Sequence, residues 1–329
     1  MTALWPAAGS HESGAGRFGP VRWRRLVSVT VRQHKSALAA YVAFAVIVAA
    51  AMAVTGLILH GSGTDVFSAG PHSPWRLYDV TSTSLRLVLP LMPVLAGLFL
   101  GAPLVAREIE AGTARFAWAQ GAGRSRWLLA TVVPVALILV VIAAGLGLEF
   151  RWWMNSLLPP DRYWTAGLFT LNPLPFAGWM LAGFSLGVML GAAIRRTVPA
   201  MAGTLVCCLT GMYLALMWQR SYLPPLRQAA AQPTFSASGG YGWSVSSRSG
   251  PGVGQIIRSA LGWPDGRLLT DSQLHHPAAW FRAHHIQIWL TYQPGCRLWL
   301  FECIEFGWLA VLSALLIGGT VLLIRRGAS

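Results

Sequence analysis

The chain has 329 residues, of which 54% are hydrophobic and only 11% charged, with a mean hydropathy of +0.52. A soluble domain carries roughly 25% charged residues, and here the missing charge is missing in blocks, which sets the chain apart from water-soluble enzymes and carriers. A net charge of +14 would suggest a nucleic-acid binder in a soluble protein, but these basic residues flank apolar runs, so membrane topology accounts for them and no nucleic-acid partner is expected.

Mostly polar sequence runs through Ser36, unlike a secretory signal, whose apolar region starts much earlier. Arg22 to Lys35 mixes Trp23, Leu26, Val27, Val29 and Val31 with basic residues. That composition suits an amphipathic helix lying in the membrane interface, and equally a plain basic anchor. Six apolar runs then reach the length of about 20 residues that a membrane helix needs. They are Ala37–Leu59, Leu87–Ala106 with Pro90 and Pro93 inside it, Trp127–Leu148, Leu174–Ile194, Val198–Trp218 and Phe306–Ile324. Only Arg195, Arg196 and Thr197 separate the fourth from the fifth.

The long piece between the fifth and sixth runs changes character midway. Thr234 to Gln255 is rich in glycine and serine, as in a flexible loop. Ala278 to Trp289 has a helix-compatible composition, and Trp280, Phe281, Trp289, Tyr292, Trp299 and Phe301 suit a membrane–water boundary. This second half is expected to lie on or dip into the outer leaflet. The expected fold is therefore an all-α integral membrane protein. It is a bundle of six transmembrane helices with an N-terminal amphipathic helix and a large outer loop between helices 5 and 6. It forms a single membrane domain over 1–329, with a segment 1–36, helices 1–5 in 37–218, a loop 219–305, helix 6 at 306–324 and a tail 325–329.

Short cytoplasmic segments carry an excess of Lys and Arg. Placing Arg17, Arg22, Arg24, Arg25, Arg32, Lys35, Arg107, Arg115, Arg124, Arg126, Arg195, Arg196, Arg325 and Arg326 inside leaves the two short opposite loops with only Arg76, Arg86, Arg151 and Arg162. Both termini are then cytoplasmic in a multi-pass protein of the cell membrane, and 219–305 is extracellular.

Lys35 is the only lysine and no glycine-rich loop precedes it, so the phosphate-binding G-x-x-x-x-G-K-[ST] loop has no place in the chain. Any ATP must bind elsewhere. Gly183-Phe184-Ser185-Leu186-Gly187 matches the G-x-S-x-G of a hydrolase elbow, but it lies inside a span instead of at a strand–turn–helix. Gly183, Gly187 and Gly191 read better as a small-residue face for a neighbouring helix, as do Gly97 and Gly101 in the second span. The cysteines read as buried small hydrophobes, since Cys296 and Cys303 would stand about 10 Å apart on a helix, too far to bridge. His275, His276, His284 and His285 form two pairs without a completing Cys or carboxylate, so ordinary interfacial histidines are expected and no metal is assigned. Glu149, Glu302 and Glu305 lie near span ends, where carboxylates are expected to be hydrated, although membrane carboxylates can also carry protons or cations.

The loop after the second span is the most informative. Arg107, Glu108, Glu110 and Arg115 alternate there with Ile109, Phe116 and Trp118. Apolar side chains rimmed by charge suit docking onto another protein, and also a hairpin lying on the membrane.

The run Arg107-Glu108-Ile109-Glu110-Ala111-Gly112-Thr113, with Arg124 and Arg126 behind it, resembles the first cytoplasmic loop of ABC-2-type transporter permeases. Three further stretches carry the same likeness, in particular to an actinobacterial subgroup: Val31–Lys35; Asn172–Pro175 leading to Arg195–Ala200; and Thr291–Pro294 with Arg297–Trp299, Ile304 and Glu305. The resemblance implies a non-enzymatic permease subunit of an exporter. It would pair with a second permease copy, homo- or heterodimeric, and with cytoplasmic ABC ATPase subunits that hold the ATP and magnesium, so this chain binds no cofactor of its own. Membrane lipids surround it. It implies a coupling loop bearing Arg107, Glu108, Glu110, Gly112, Thr113 and Arg115, and an outer re-entrant helix pair marked by Tyr292, Pro294, Glu302 and Glu305. The substrate is unspecified; an apolar lining suits an amphipathic one. The alternative is a membrane sensor or assembly factor that docks a cytoplasmic partner without transport.

Overall fold

The computed structural model describes residues 35–61, 75–112, 123–155, 168–219, 222–230, 253–270, 272–273 and 278–326. The basic segment before Lys35, His275 and His276, and the glycine- and serine-rich stretch up to Gly252 lie outside them.

The bundle is all helical. Helix α1 spans Lys35–Gly61. The second span is composite, with α2 at Trp75–Leu95, a π-helical segment at Ala96–Gly101 and α3 at Ala102–Glu110. Then come α4 at Arg124–Asn155, α5 at Pro173–Ile194 and α6 at Thr197–Trp218. The last helix, α8, runs Leu298–Arg326. All six passes are long and apolar enough to cross a membrane. Several extend well past the apolar runs. The second begins near Trp75, through a polar stretch that an apolar window does not register, and the sixth begins eight residues before Phe306.

Prolines explain the irregular second span. Pro90 and Pro93 have no N–H, so the carbonyls of Arg86 and Leu89 lose their i+4 donors. One turn later the backbone widens, and the Ala102 N–H reaches the Gly97 carbonyl five residues back. Such π-segments commonly sit at functional points. Beside the prolines, the buried Tyr41 hydroxyl of α1 donates to the Met92 carbonyl at 3.1 Å and approaches Met180 Sδ of α5 at 2.9 Å.

Helix α5 is the axis of the bundle. It packs against α8, α4, the π-segment, α3, α6 and α2. Of the most apolar stretch of each pass, 67% is buried in α5 and in the second span, against 22% in α6 and α8. The first two are core elements, and the last two turn most of their apolar surface to lipid or to a partner. The α5 contact with the second span is glycine on glycine. A Cβ at Gly97 would strike the Gly183 carbonyl, one at Gly187 would strike the Gly97 carbonyl, and one at Gly191 would sit 2.5 Å from the Ala102 carbonyl oxygen. Gly101 meets the Phe184 carbonyl in the same way.

The segment between α6 and α8 holds a three-stranded antiparallel sheet of order β1-β3-β2. Its strands are β1 (Leu226–Ala230), β2 (Val253–Gly262) and β3 (Gln287–Pro294). Helix α7 covers only Ala278–Ala283. This corrects the helical reading of Ala278–Trp289 and the re-entrant helix pair. Tyr292 and Pro294 lie on β3, and Glu302 and Glu305 lie on the opening turns of α8. Gln287–Pro294 is rich in β-branched and aromatic residues, which fit a pleated surface better than a helix. Leu261, Phe281, Ile286, Leu290 and Tyr292 form a small separate core under the sheet.

Replacing Gly187 by Leu forces a side chain between two touching backbones. The variant is expected to lose about 1–3 kcal/mol, the usual cost of overpacking, while Gly318→Leu, whose position has nothing within 4 Å, is expected to be tolerated. Thermal melting of the two purified variants in the same detergent tests this; equal melting temperatures would remove the packing claim.

Candidate functional site

The bundle has two polar ends. One gathers Lys35, the end of α3, the start of α4, the α5–α6 turn and the end of α8. The other carries the sheet.

At the first end, α3 finishes with Arg107 exposed, Glu108 half-buried and Glu110 exposed. Gly112 leaves the helix at φ +71°, a left-handed conformation that glycine adopts without a Cβ penalty. Thr113, Arg115, Phe116 and Trp118 lie outside the described residues. Across from α3, α5 stops at Arg195, itself left-handed at φ 59°, and α6 starts directly after Arg196. The first turn of a helix has N–H groups with no partner inside the helix, and Arg196 at the N-cap makes no side-chain cap. Glu110 fills that role from the last turn of α3. Its Oε2 accepts from the Thr197 hydroxyl at 2.7 Å and from the Thr197 N–H at 3.3 Å. A carboxylate at a helix N-terminus is also favoured by the helix dipole. A second tie closes the same end, where Arg325 of α8 donates to Ser125 Oγ of α4 at 3.2 Å.

At the sheet end, Glu302 and Glu305 are buried, at 1% and 0% exposure, which overturns the expectation that they are hydrated; Glu149 on α4 is half-buried. Glu305 is surrounded by donors. Trp179 Nε1 of α5 donates to its Oε1 at 2.7 Å, Gln219 Nε2 lies 3.1 Å from both oxygens, and the Tyr222 hydroxyl reaches Oε2 at 3.4 Å. Trp308 Nε1 in turn donates to the Tyr222 oxygen at 3.0 Å. Burial, and next the charge of Glu305, push the Tyr222 pKa above the usual phenol value, so Tyr222 keeps the proton it donates. Glu302 has a looser partner. Arg151 Nη1 of α4 stands 3.8 Å from its Oε1, and neither carboxylate oxygen accepts a hydrogen bond.

The sheet is stapled to this cluster. The buried Gln293 donates to the Leu223 carbonyl at 2.7 Å, and Arg297 donates to the Pro224 carbonyl at 3.1 Å and to Gln293 Oε1 at 3.2 Å. Tyr292 donates to Gln228 on the neighbouring strand at 2.7 Å. His284 packs on Trp280 and Trp263, and among the described residues no group of three His, Cys, Asp or Glu could hold a metal.

The structure thus brings together the glycines of the second span with those of α5, and Glu110 with Thr197. It separates Tyr292 and Pro294 from Glu302 and Glu305 by an element boundary. Thr197 entered the sequence reading only as part of the Arg195–Ala200 stretch, and Trp179, Gln219, Tyr222 and Trp308 were given no role there. A signal existed for some of them: a tryptophan N–H inside an apolar run needs an acceptor, and a glutamate on an apolar helix needs donors.

A family model described as ABC-2 membrane transporter related matches residues 35–220, from the start of α1 to just beyond α6. No curated protein and no solved structure matches the chain.

If Glu110 caps α6 through Thr197, their substitutions must be coupled. Glu110→Ala, Thr197→Val and the double variant are expected to lower the melting temperature by similar amounts, and the double-mutant cycle reads that non-additivity. Fully additive losses would show that the two residues act separately.

Proposed function

Because this multi-pass membrane protein belongs to the ABC-2 membrane transporter related family, we propose that it is the permease subunit of an ATP-binding-cassette exporter. It works as a dimer, homo- or heteromeric, with separate cytoplasmic ATPase subunits that bind ATP and magnesium. The observation that carries this reading is the family match over residues 35–220, which takes in five of the six passes and both loops at the arginine end.

The excess of basic residues at that end supports its assignment to the cytoplasm, with both termini inside and the sheet outside. The loop that follows α3 is then the coupling element, with Arg107, Glu108, Glu110, Gly112, Thr113 and Arg115 on or near it. The Glu110–Thr197 contact supports this role, because it fastens the end of α3, where that loop begins, to the first turn of α6. Force applied there has a direct path into a membrane helix. The cargo is of amphipathic character in this reading. The alternative, a docking protein without transport, is supported by no observation of its own.

Topology can be tested by labelling. A cysteine at Asp265, exposed beside the sheet, in a background carrying Cys296→Ser, is expected to react with an impermeant maleimide on intact cells. Reaction only after permeabilisation would invert the assignment.

Coupling is tested by reversing Glu108 and Glu110 together to Lys. The insertion signal is preserved, since losing negative charge inside strengthens the basic bias. Like charges facing a partner's basic residues would weaken docking. The tagged wild-type chain, purified from its own host, is expected to bring down a P-loop ATPase whose hydrolysis it stimulates, and the purified chain alone is expected to hydrolyse no ATP. The variant is expected at normal membrane levels with that ATPase weakly bound or unstimulated. If binding and transport both survive the double reversal, the coupling role of these carboxylates should be abandoned.

A further inference from the structure

A cavity of about 560 Å³ lies between α5, α6 and α8, within the size range of small-molecule sites. Its walls are apolar along most of their length, from Leu186 on α5 and Leu316 on α8 to Ala215 on α6. Towards the sheet end the lining changes to aromatic: Trp179, Trp308 and Tyr222 all face it. Trp179 and Trp308 stand nearly perpendicular, with ring centres 5.7 Å apart and planes at 85°, so together they form two walls of a box. Behind them is the Glu305 carboxylate, which receives the Trp179 N–H and the Tyr222 O–H. Trp179 and Tyr222 therefore point their polar edges at a negative group, Trp308 points its N–H at the Tyr222 oxygen, and the aromatic surface outside the edge-to-face contact of the two indoles is turned to the cavity. Aromatic faces attract cations, and aromatic boxes are the usual recognition device for alkylammonium groups.

We propose that this cavity is a binding site for an amphipathic organic cation, with its charged head held by Trp179, Trp308 and Tyr222 in front of Glu305 and its apolar body lying between α5, α6 and α8. An anion of the same shape would face the carboxylate and the wrong sign of ring quadrupole. A neutral molecule would gain only the apolar contacts. Calling the occupant cargo rests on the transporter reading, but the binding itself requires no ATPase, so a failure to bind leaves the coupling reading standing and a failure of coupling leaves the site testable.

Tetraphenylphosphonium and tetraphenylborate are suitable probes, being nearly equal in shape and apolarity and opposite in charge. Cys207 lines the cavity and is exposed, while Cys296 is exposed away from it. Peptide-level mass spectrometry of maleimide labelling on the full-length purified chain therefore reads occupancy at Cys207, with Cys296 as internal control. Tetraphenylphosphonium is expected to protect Cys207 saturably and leave Cys296 unaffected, and tetraphenylborate to protect neither. Trp308→Leu is expected to raise the half-protecting concentration about three- to thirtyfold, the span of a cation–π contact, and Glu305→Gln about tenfold. Should Glu305→Gln fail to fold, Trp308→Leu and the wild-type comparison of the two ions decide. Equal protection by both ions, unchanged Cys207 reactivity at saturating phosphonium, or a folded Trp308→Leu that is protected like the wild type would each overturn the site.

Discussion

Everything else in the bundle is arranged around one close approach, the backbone contact between the second span and α5. Gly97 and Gly101 meet Gly183, Gly187 and Gly191 where a methyl group on any of them would collide with a carbonyl or backbone atom of the other helix. Apolar side chains do not draw helices together in lipid as they do in water, so close van der Waals contact must supply the attraction. Glycine makes that contact possible and at the same time fixes its position, because only a glycine-bearing turn can sit there. The π-segment occupies this same crossing. Pro90 and Pro93 unsettle the helix one turn earlier, and the widened coil carries Gly97 and Gly101 to the α5 surface. With the second span and α5 locked, α4 and α8 pack along α5, the α8 pairing being the most extensive, while α6 and α8 still leave most of their own apolar surface uncovered.

The six passes were legible because a membrane helix announces itself by length and apolarity alone, and the glycine spacing exposed a helix face before any neighbour was known. The limits of that reading follow from the same physics. A helix that continues past the apolar zone, as α2 does through Trp75 to Arg86, carries ordinary polar sequence there and gives a hydropathy window nothing to detect. The sheet was missed because aromatic residues serve equally at a membrane boundary and in a strand; β1 and β2 pair with β3 across a long sequence separation, and pairing of that kind leaves only a weak local trace.

The site residues divide in the same way. Glu110 could be singled out as a charge in a short loop, but its partner Thr197 lies 87 positions away, and nothing local to either residue reveals the other. Glu302 and Glu305 looked like hydrated boundary residues because their own segment is partly polar. Their partners are Trp179, Gln219, Tyr222 and Arg151, contributed by three other stretches of chain. A buried carboxylate without donors is costly, so the four hydrogen bonds around Glu305 are a condition of its position in the fold as well as a chemical feature.

Helix α6 is the place where these two ends meet. Its first residue is held by Glu110 at the end of α3, and Gln219, just past its last turn, is held by Glu305 of α8. Between those anchors it is the least buried pass together with α8, and it forms one wall of the cavity through Cys207, Gly211 and Ala215. Helix α5, by contrast, is wedged against the second span along its glycine face and has little room to move without breaking that contact. A displacement of the α3 end therefore meets unequal resistance. It acts on α5 through the packing of α3 along it, and on α6 through packing and through the Glu110–Thr197 hydrogen bonds at its first turn. Because α6 and α5 face each other across the cavity, any such unequal movement changes the width of the cavity, and its other end is resisted by the Gln219–Glu305 bonds beside the aromatic box. The geometry thus joins the end of α3 at one face of the bundle to a cavity near the other through a single helix, with the glycine crossing as the fixed frame beside it.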